Sequence, residues 1–384
     1  MKPSVIVVGL GAMGSSTAAV LARRGCRVMG FERFWRAHDR GSSHGDTRAI
    51  RKAYVREAEY APLVLEAYDL WRRLERDSGA ELLVQIGGLV VAPTGGKTLA
   101  RSVATAQAYG IDYELLDTNE VSRRWPTMHP PANCTTFYEP TQSIMPPEKT
   151  VATNIELAVR HGAELHFNTV VESWSSTSGG VQVRAGGKTY EADRLVLAGG
   201  AWSDDLLSDL DLPLEVNRLL QVWVKPTSQM KHFAVDRHPR WVLENAEGVS
   251  AYAFPVLQGQ DAIKMAFTRG VPAEADNLQR EATPDEVAAL VDFMSDLVPS
   301  IRGQAPTRVS ACLMMRTPDE NFTIGEHPKF PNVIIGAGFS SHGFKFVPVI
   351  GEILADLAVD GATKRNIKLF DPRRYEKLSA LQPG

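Results

Sequence analysis

The chain reads as an α/β (α+β) protein in which a Rossmann-like domain is interrupted by a substrate domain with a large mixed or antiparallel sheet. Three features of the sequence lead there. The β-branched run Val5 to Val8 feeds directly into Gly9-Leu10-Gly11-Ala12-Met13-Gly14 and then into a small-residue, helix-compatible stretch. Short apolar runs, of the kind buried on both faces of a parallel sheet, recur near residues 27, 165, 195 and 333, from one end of the chain to the other. Between them, residues from about 216 to 272 alternate as antiparallel strands do.

Each element follows from its residues. Ser15 to Arg24 is a helix closed by Gly25, which accepts the left-handed turn after a helix end. Arg27 to Phe31 is the second strand and ends at Glu32. Residues 61 to 78 place Leu63, Val64, Ala67, Trp71 and Leu74 on one stripe, an amphipathic helix with Gly79 beyond its end. Val84 to Ala92 reads as one strand through Gly87-Gly88, and Gly95-Gly96-Lys97-Thr98 as a loop before a helix. Pro147 to His161 is a helix with Pro at its start and Gly162 at its stop. Leu165 to Val171 is a strand. Val181 to Ala185 and Thr189 to Ala192 form a hairpin about Gly186-Gly187. Leu195 to Leu197 is a buried strand ending in Ala198-Gly199-Gly200-Ala201-Trp202. Leu220 to Val224, Trp241 to Leu243, Ser250 to Phe254 and Ile263 to Phe267 are the alternating strands. Thr283-Pro284-Asp285-Glu286 is a capping box whose helix buries Val287, Leu290, Val291 and Met294. Val333 to Ile335 is the last buried strand, Gly336 to Phe346 a Gly- and Ser-rich loop, and Val349 to Leu357 the final helix.

A length of 384 residues suits two or three domains. The elements assign residues 1–85, 145–215 and 310–384 to a discontinuous nucleotide-binding domain, and 86–144 and 216–309 to the substrate domain. Apolar residues at 44% and charged residues at 23% exclude a disordered or fibrous chain. The net charge of −3 argues against a nucleic-acid partner or an anionic membrane surface. No apolar run reaches the ~18–20 residues that span a bilayer. Cys26, Cys134 and Cys312 are too few and too scattered for a disulfide framework or a zinc site, and they fit a reducing cytoplasm. The histidines show no metal-ligand spacing, so no metal is expected, and neither a G-x-S-x-G elbow nor a Walker A loop is present.

Gly9, Gly11 and Gly14 stand at G-x-G-x-x-G spacing between a strand and a helix. The first permits the tight turn, the second lets the backbone approach a pyrophosphate, and the third lets helix and strand pack closely. Glu32 closes the second strand, where a carboxylate can accept from ribose hydroxyls. That acid favours NAD or FAD over NADP, and the fingerprint does not choose between the two.

Other segments do choose. Residues 41 to 52 read Gly-Ser-Ser-His-Gly-Asp-Thr-Arg-Ala-Ile-Arg-Lys. Ala311-Cys312 precedes Thr317-Pro318-Asp319-Glu320-Asn321-Phe322, and Gly338-Phe339-Ser340-Ser341-His342-Gly343-Phe344-Lys345-Phe346 follows. In these segments, and at Gly200-Ala201-Trp202 and Arg124-Trp125-Pro126, the chain resembles the monomeric sarcosine oxidase and N-methyltryptophan oxidase family of FAD-dependent amine oxidases. The resemblance covers nearly the whole chain. It implies FAD contacts at Gly9, Gly11, Met13, Gly14, Glu32, Arg33, Ser42, Ser43, Thr47, Arg48, Val171, Gly200, Trp202, Cys312, Phe339, Ser341, His342, Gly343, Phe344 and Lys345.

It also implies roles. Cys312 matches the cysteine that tethers the flavin covalently, a bond that needs a thiolate; Cys26 and Cys134 read as inert buried thiols. Arg48 matches the arginine lying over the flavin ring, where a planar guanidinium suits a π-system, and His44 and Thr47 match its support. Arg51 and Lys345 match a clamp on the substrate carboxylate. Lys264, in an apolar alternating strand, matches the lysine that assists reaction of reduced flavin with O2. Tyr252 matches a substrate-site tyrosine. Two positions depart from the sarcosine oxidases: Thr268 stands where they have His, and Met314 where they have Tyr. The expected activity is therefore flavin-dependent oxidation of a carboxylate-bearing secondary amine, larger or more apolar than sarcosine, by a monomer. Two other readings keep the cofactor: a dehydrogenase that passes electrons to another acceptor, and a catalytically silent FAD-binding protein.

Overall fold

The computed structural model of the chain describes residues 2–210 and 212–375, so the expected segment 310–384 ends outside the described residues. Two sheets organise the fold. The first has six strands in the spatial order Thr323–His327, Phe330–Ala337, Arg194–Leu197, Ser4–Val8, Arg27–Phe31 and Glu164–His166. All neighbours run parallel except the first pair. Helix Ala12–Arg23 is buried from Ala12 to Ala22 and packs between helices Pro147–Arg160 and Val347–Asp360. Its small residues are what allow so close an approach on every side.

The second sheet has nine strands. Eight follow the order Val271–Pro272, Glu215–Val224, Ile263–Phe267, Ser250–Phe254, Arg240–Glu244, Gly88–Pro93, Cys134–Glu139 and Glu114–Leu116. The ninth, Pro306–Arg316, pairs with Glu215–Val224 along nearly its whole length. The sheet is mixed, because Arg240–Glu244 and Gly88–Pro93 run parallel while the other pairs are antiparallel. Two three-stranded sheets complete the fold. One joins Val171–Thr177, Gly180–Ala185 and Lys188–Ala192; the other joins Arg48–Ile50, Ser143–Met145 and Val84–Gln85.

The expected helices are present, Tyr60–Ser78 among them, with Gly79 left-handed at φ 75°. The Thr283 capping box is formed on helix Pro284–Ser295. Two expected strands are corrected. Val84 to Ala92 breaks at Gly87, φ 74°, into pieces that belong to different sheets. Leu165 to Val171 breaks at Asn168, φ 52°, so Val171 begins a new strand. In both places a left-handed residue redirects a chain whose side-chain pattern alone looks continuous. The expected Gly336–Phe346 loop is shortened at its start, since Phe330–Ala337 is a strand. Helices Lys97–Tyr109 and Val347–Asp360 follow the readings at those places.

The three fingerprint glycines differ physically. A Cβ on Gly14 would sit 1.7 Å from the Gly9 carbonyl oxygen, whereas one on Gly11 would meet nothing within 4 Å. Gly14 is therefore required by packing, and Gly11 only by whatever occupies the space beside it. In thermal unfolding of nucleotide-free protein, Gly14→Ala should lose at least ~1–3 kcal/mol, as overpacked sites do. Gly11→Ala should stay within about 1 kcal/mol of wild type, the range of ordinary cap changes.

Candidate active site

The carboxyl ends of the parallel strands open into a cleft of about 730 Å³. Gly9, Gly11, Met13, Glu32, Arg33, Ser42, Ser43, Val171, Gly200 and Trp202 line it, as do Phe339, Ser341, His342, Gly343 and Phe344. The Glu32 carboxylate accepts from the backbone N–H groups of Leu10 at 2.8 Å and Phe34 at 3.1 Å, and lies 3.3 Å from His38 Nε2. It thereby ties the glycine turn to the end of strand Arg27–Phe31. Asp276 bridges the entrance: it accepts from Trp202 Nε1 at 2.8 Å and pairs with Arg33 at 2.9 Å. The arginine in turn lies over the Trp202 ring. The open space at Gly11, the start of helix Ala12–Arg23 and the Glu32 carboxylate together fit a dinucleotide.

Deeper in, the segment 41–48 folds against strand Pro306–Arg316. The Ser42 hydroxyl donates to the Leu313 carbonyl, and Leu313 N–H donates to the Gly41 carbonyl. Gly45 and Asp46 are both left-handed, φ 92° and 68°, which turns the chain sharply before strand Arg48–Ile50. Arg48 donates to the Thr47 carbonyl at 2.7 Å, to the Ser42 carbonyl at 2.6 Å and to Cys312 Sγ at 3.3 Å. Cys312 is 2% exposed and packs with Leu219, Ala266, Met314 and the Tyr252 ring. Burial pushes its thiol up, but the charges of His44, Arg48 and Lys264 outweigh burial and bring it down to about 7. His44 Nδ1 approaches Ser310 Oγ at 3.4 Å, while its buried Nε2 has no hydrogen-bond partner.

Lys264, Thr47, His44 and Gly14 stand behind the cleft wall and do not line it. The Lys264 ammonium donates to the Gly45 carbonyl at 2.5 Å, the Thr47 carbonyl at 2.9 Å and Thr47 Oγ1 at 3.0 Å. The Phe254 and Trp223 rings flank it. Burial, followed by the Arg48 charge, holds it well below the usual lysine range.

Arg51, Lys345, Tyr252, Met314 and Thr268 all line the cleft. Lys345 sits in a short turn, Phe344–Phe346, where its carbonyl accepts from Trp71 Nε1 at 2.9 Å. Its ammonium donates to the His342 carbonyl at 2.7 Å and lies 5.2 Å from the Tyr54 ring, which Arg51 also approaches at 6.0 Å. Neither cation has a carboxylate partner among the described residues. Burial, then neighbouring arginines, holds Lys345 well below the usual range, and burial lowers Arg51 as well. His342 is doubly bonded: Tyr54 OH donates to Nδ1 at 2.5 Å, and Nε2 donates to the Glu320 carbonyl at 2.9 Å. Burial holds it well below the usual histidine value, so it is neutral and fixed. The Thr268 hydroxyl is taken up by Ser250, through its carbonyl at 3.1 Å and its hydroxyl at 2.7 Å.

Among the cleft residues that escaped the sequence reading are Tyr54, Arg56, Gln142 and Arg240. Arg56 pairs with Glu320 at 2.8 Å. Arg240 opens a strand whose next residues are Trp, Val and Leu, and a cation at the head of so apolar a run was the available signal.

A cleft that fits a dinucleotide at one end, with a cysteine, a stacking-capable arginine and paired cations at the other, defines a flavoenzyme site. The sequence description of FAD dependent oxidoreductases matches residues 4–357, and the chain belongs to that family. It is 42% identical to a monomeric sarcosine oxidase of Streptomyces avermitilis, over 99% of this chain and all of that one. It is 29% identical to an N-methyl-L-tryptophan oxidase of Salmonella dublin, over 98% of this chain and all of that protein. Among solved structures, NikD, described as an unusual amino acid oxidase essential for nikkomycin biosynthesis, superposes with a TM-score of 0.85 at 26% identity, covering 96% of this chain and 97% of that one. The protein is an FAD-dependent amine oxidase.

The lowered Cys312 value has a direct test. In flavin-free protein only the thiolate reacts, so iodoacetamide labelling of Cys312 should rise with pH about a midpoint near 7. Arg48→Met should move that midpoint upward. A wild-type midpoint at the free-thiol value of about 8.5 would contradict the electrostatic account.

Proposed function

We propose that the protein oxidises a carboxylate-bearing secondary amine larger than sarcosine, with FAD attached through Cys312 and O2 as the electron acceptor. The observation that carries this is a single cleft holding a thiol whose value is brought down to about 7, at Cys312, and two half-buried cations without counter-ions, at Arg51 and Lys345. Bound there, FAD would supply the two-electron acceptor: the N-alkyl carbon next to nitrogen would give up a hydride, and O2 would finally take two electrons and two protons to become H2O2. The imine that results adds water and separates into an aldehyde and a shorter amine.

The chain's own residues do the rest. Arg51 and Lys345 orient the substrate by its carboxylate, and their charge favours the neutral amine, which has the free lone pair that hydride loss requires. Arg48 presents its guanidinium beside the tether position, suited to an anionic reduced ring. Met314 and Thr268 replace two polar groups with an apolar side chain and an internally bonded hydroxyl, leaving room for a larger substrate. Lys264 contributes a buried positive charge at the loop that carries Arg48, which would stabilise developing negative charge on oxygen.

We read residues 1–85, 145–215 and 310–384 as the FAD-binding unit, and 86–144 and 216–309 as the substrate unit. Strands Glu215–Val224 and Pro306–Arg316 cross between them and carry the tether. A monomer in the reducing cytoplasm completes this reading: the three cysteines are free and buried, and among the described residues no helix is long and apolar enough to cross a membrane.

Two experiments test it. Acid precipitation of the holoprotein should leave the yellow colour in the pellet, and Cys312→Ala should release it to the supernatant. Colour released from wild type would remove the tether. Anaerobic mixing with a panel of secondary amines should bleach the flavin, with sarcosine not the best by kcat/KM, and air should restore it. Lys264→Met should slow the air step at least ~10-fold, the scale of a lost charge contact in a transition state, while leaving bleaching nearly intact. Equal loss in both steps would make Lys264 a loop support, and a wild type that air does not reoxidise would be a dehydrogenase.

A further inference from the structure

The substrate end of the cleft holds more positive charge than one carboxylate uses. Arg51 and Lys345 account for the carboxylate that every amino acid carries. Arg240 lines the same cleft from the nine-stranded sheet, with its guanidinium 5.9 Å from the Tyr252 ring. Its Nε is buried with no hydrogen-bond partner, and its remaining nitrogens make no hydrogen bond or ion pair among the described residues. Burial, then the Arg51 charge, brings it down to about 9.

Nearby acids are already engaged. Glu139 accepts from Lys52 N–H, Ala53 N–H and Thr141 Oγ1; Glu244 accepts from Thr98 Oγ1; Glu320 pairs with Arg56. A second polar group is unmet beside the arginine. Gln142 is 1% exposed, lines the cleft, and has no partner at either Oε1 or Nε2. Its position is made by Gly88, the register partner of Arg240, where a Cβ would lie 1.9 Å from Gln142 Oε1. A half-buried guanidinium with no counter-ion and a buried, unpartnered Nε carries a desolvation cost, and the Gln142 amide carries its own. Both are relieved by one anion that the fork can grip with two parallel hydrogen bonds while the amide donates a third.

We propose that Arg240, with the Gln142 amide beside it, is a second anion-binding position, and that the preferred substrate is a secondary amino acid whose side chain ends in a carboxylate. This rests on the secondary-amine reading above and names its substrate class. The chemistry at the N-alkyl carbon is unchanged; the second carboxylate fixes the far end of the molecule.

The test compares N-methyl-L-glutamate with its neutral isostere N-methyl-L-glutamine in anaerobic reduction of the holoenzyme. The second-order rate constant should favour the glutamate at least ~10-fold, as a charge-assisted bidentate contact allows. Arg240→Met should collapse that ratio to within about threefold, and Arg240→Lys should keep part of it, because a point charge attracts but does not grip bidentately. A wild-type ratio near one, or a ratio that survives Arg240→Met, overturns the proposal; the wild-type ratio decides even if the variant does not fold. If neither compound nor sarcosine bleaches the flavin, the secondary-amine reading falls and takes this one with it. Bleaching by sarcosine or the glutamine analogue with no advantage for the glutamate removes only the second anion position.

Discussion

The site depends on the Lys264 ammonium buried beneath the 45–47 turn. Its three donors are spent on Gly45 and Thr47, and the turn they hold contains two consecutive left-handed residues that would not keep their shape unaided. Glu148 supports the same turn by accepting from the Gly45 and Asp46 N–H groups. With the turn fixed, Arg48 has one direction in which to lie, and that direction brings it to Cys312. The character of the thiol is set first by His44 and Arg48, and Lys264 adds to it both by its own charge and by holding the turn that carries Arg48.

The cleft is also an electrostatic imbalance kept on purpose. Among the described residues, Arg51, Arg240 and Lys345 have no carboxylate partners, while the surface of the same protein is rich in ion pairs such as Arg124 with Glu114 and Glu120. Exposed pairs of that kind contribute little, whereas half-buried cations left unpaired carry a desolvation cost. A fold that tolerates the second kind holds stability in reserve for the moment an anion arrives.

Much of this was legible in the sequence. The glycine fingerprint works at short range, and a strand, a turn and a helix in succession leave few alternatives, so Gly9 to Glu32 reads correctly in its order of elements, with the helix beginning at Ala12 rather than Ser15. The breaks at Gly87 and Asn168 did not read, because apolar alternation continues across them and only the backbone angle changes. Strand Pro306–Arg316 was missed because its first half is polar and its identity comes from the 215–224 strand it pairs with. Arg240 was missed for a related reason: Tyr252, Gln142 and Gly88 meet it only in three dimensions, and no local spacing announces them. Cys312, Arg48, Arg51 and Lys345 could be singled out because they sit inside long motif segments, and that is how the resemblance to the amine oxidases found them.

The bond from Trp71 Nε1 to the Lys345 carbonyl ties the Lys345 turn to helix Tyr60–Ser78, whose outer face is solvent and whose inner face is core. Trp71 does not itself line the cleft, yet it holds the backbone from which the Lys345 ammonium projects. Efforts to retune this protein for a new amine that redesign only the cavity lining would pass it by. Selection for altered affinity, which is blind to such distinctions, has a lever there.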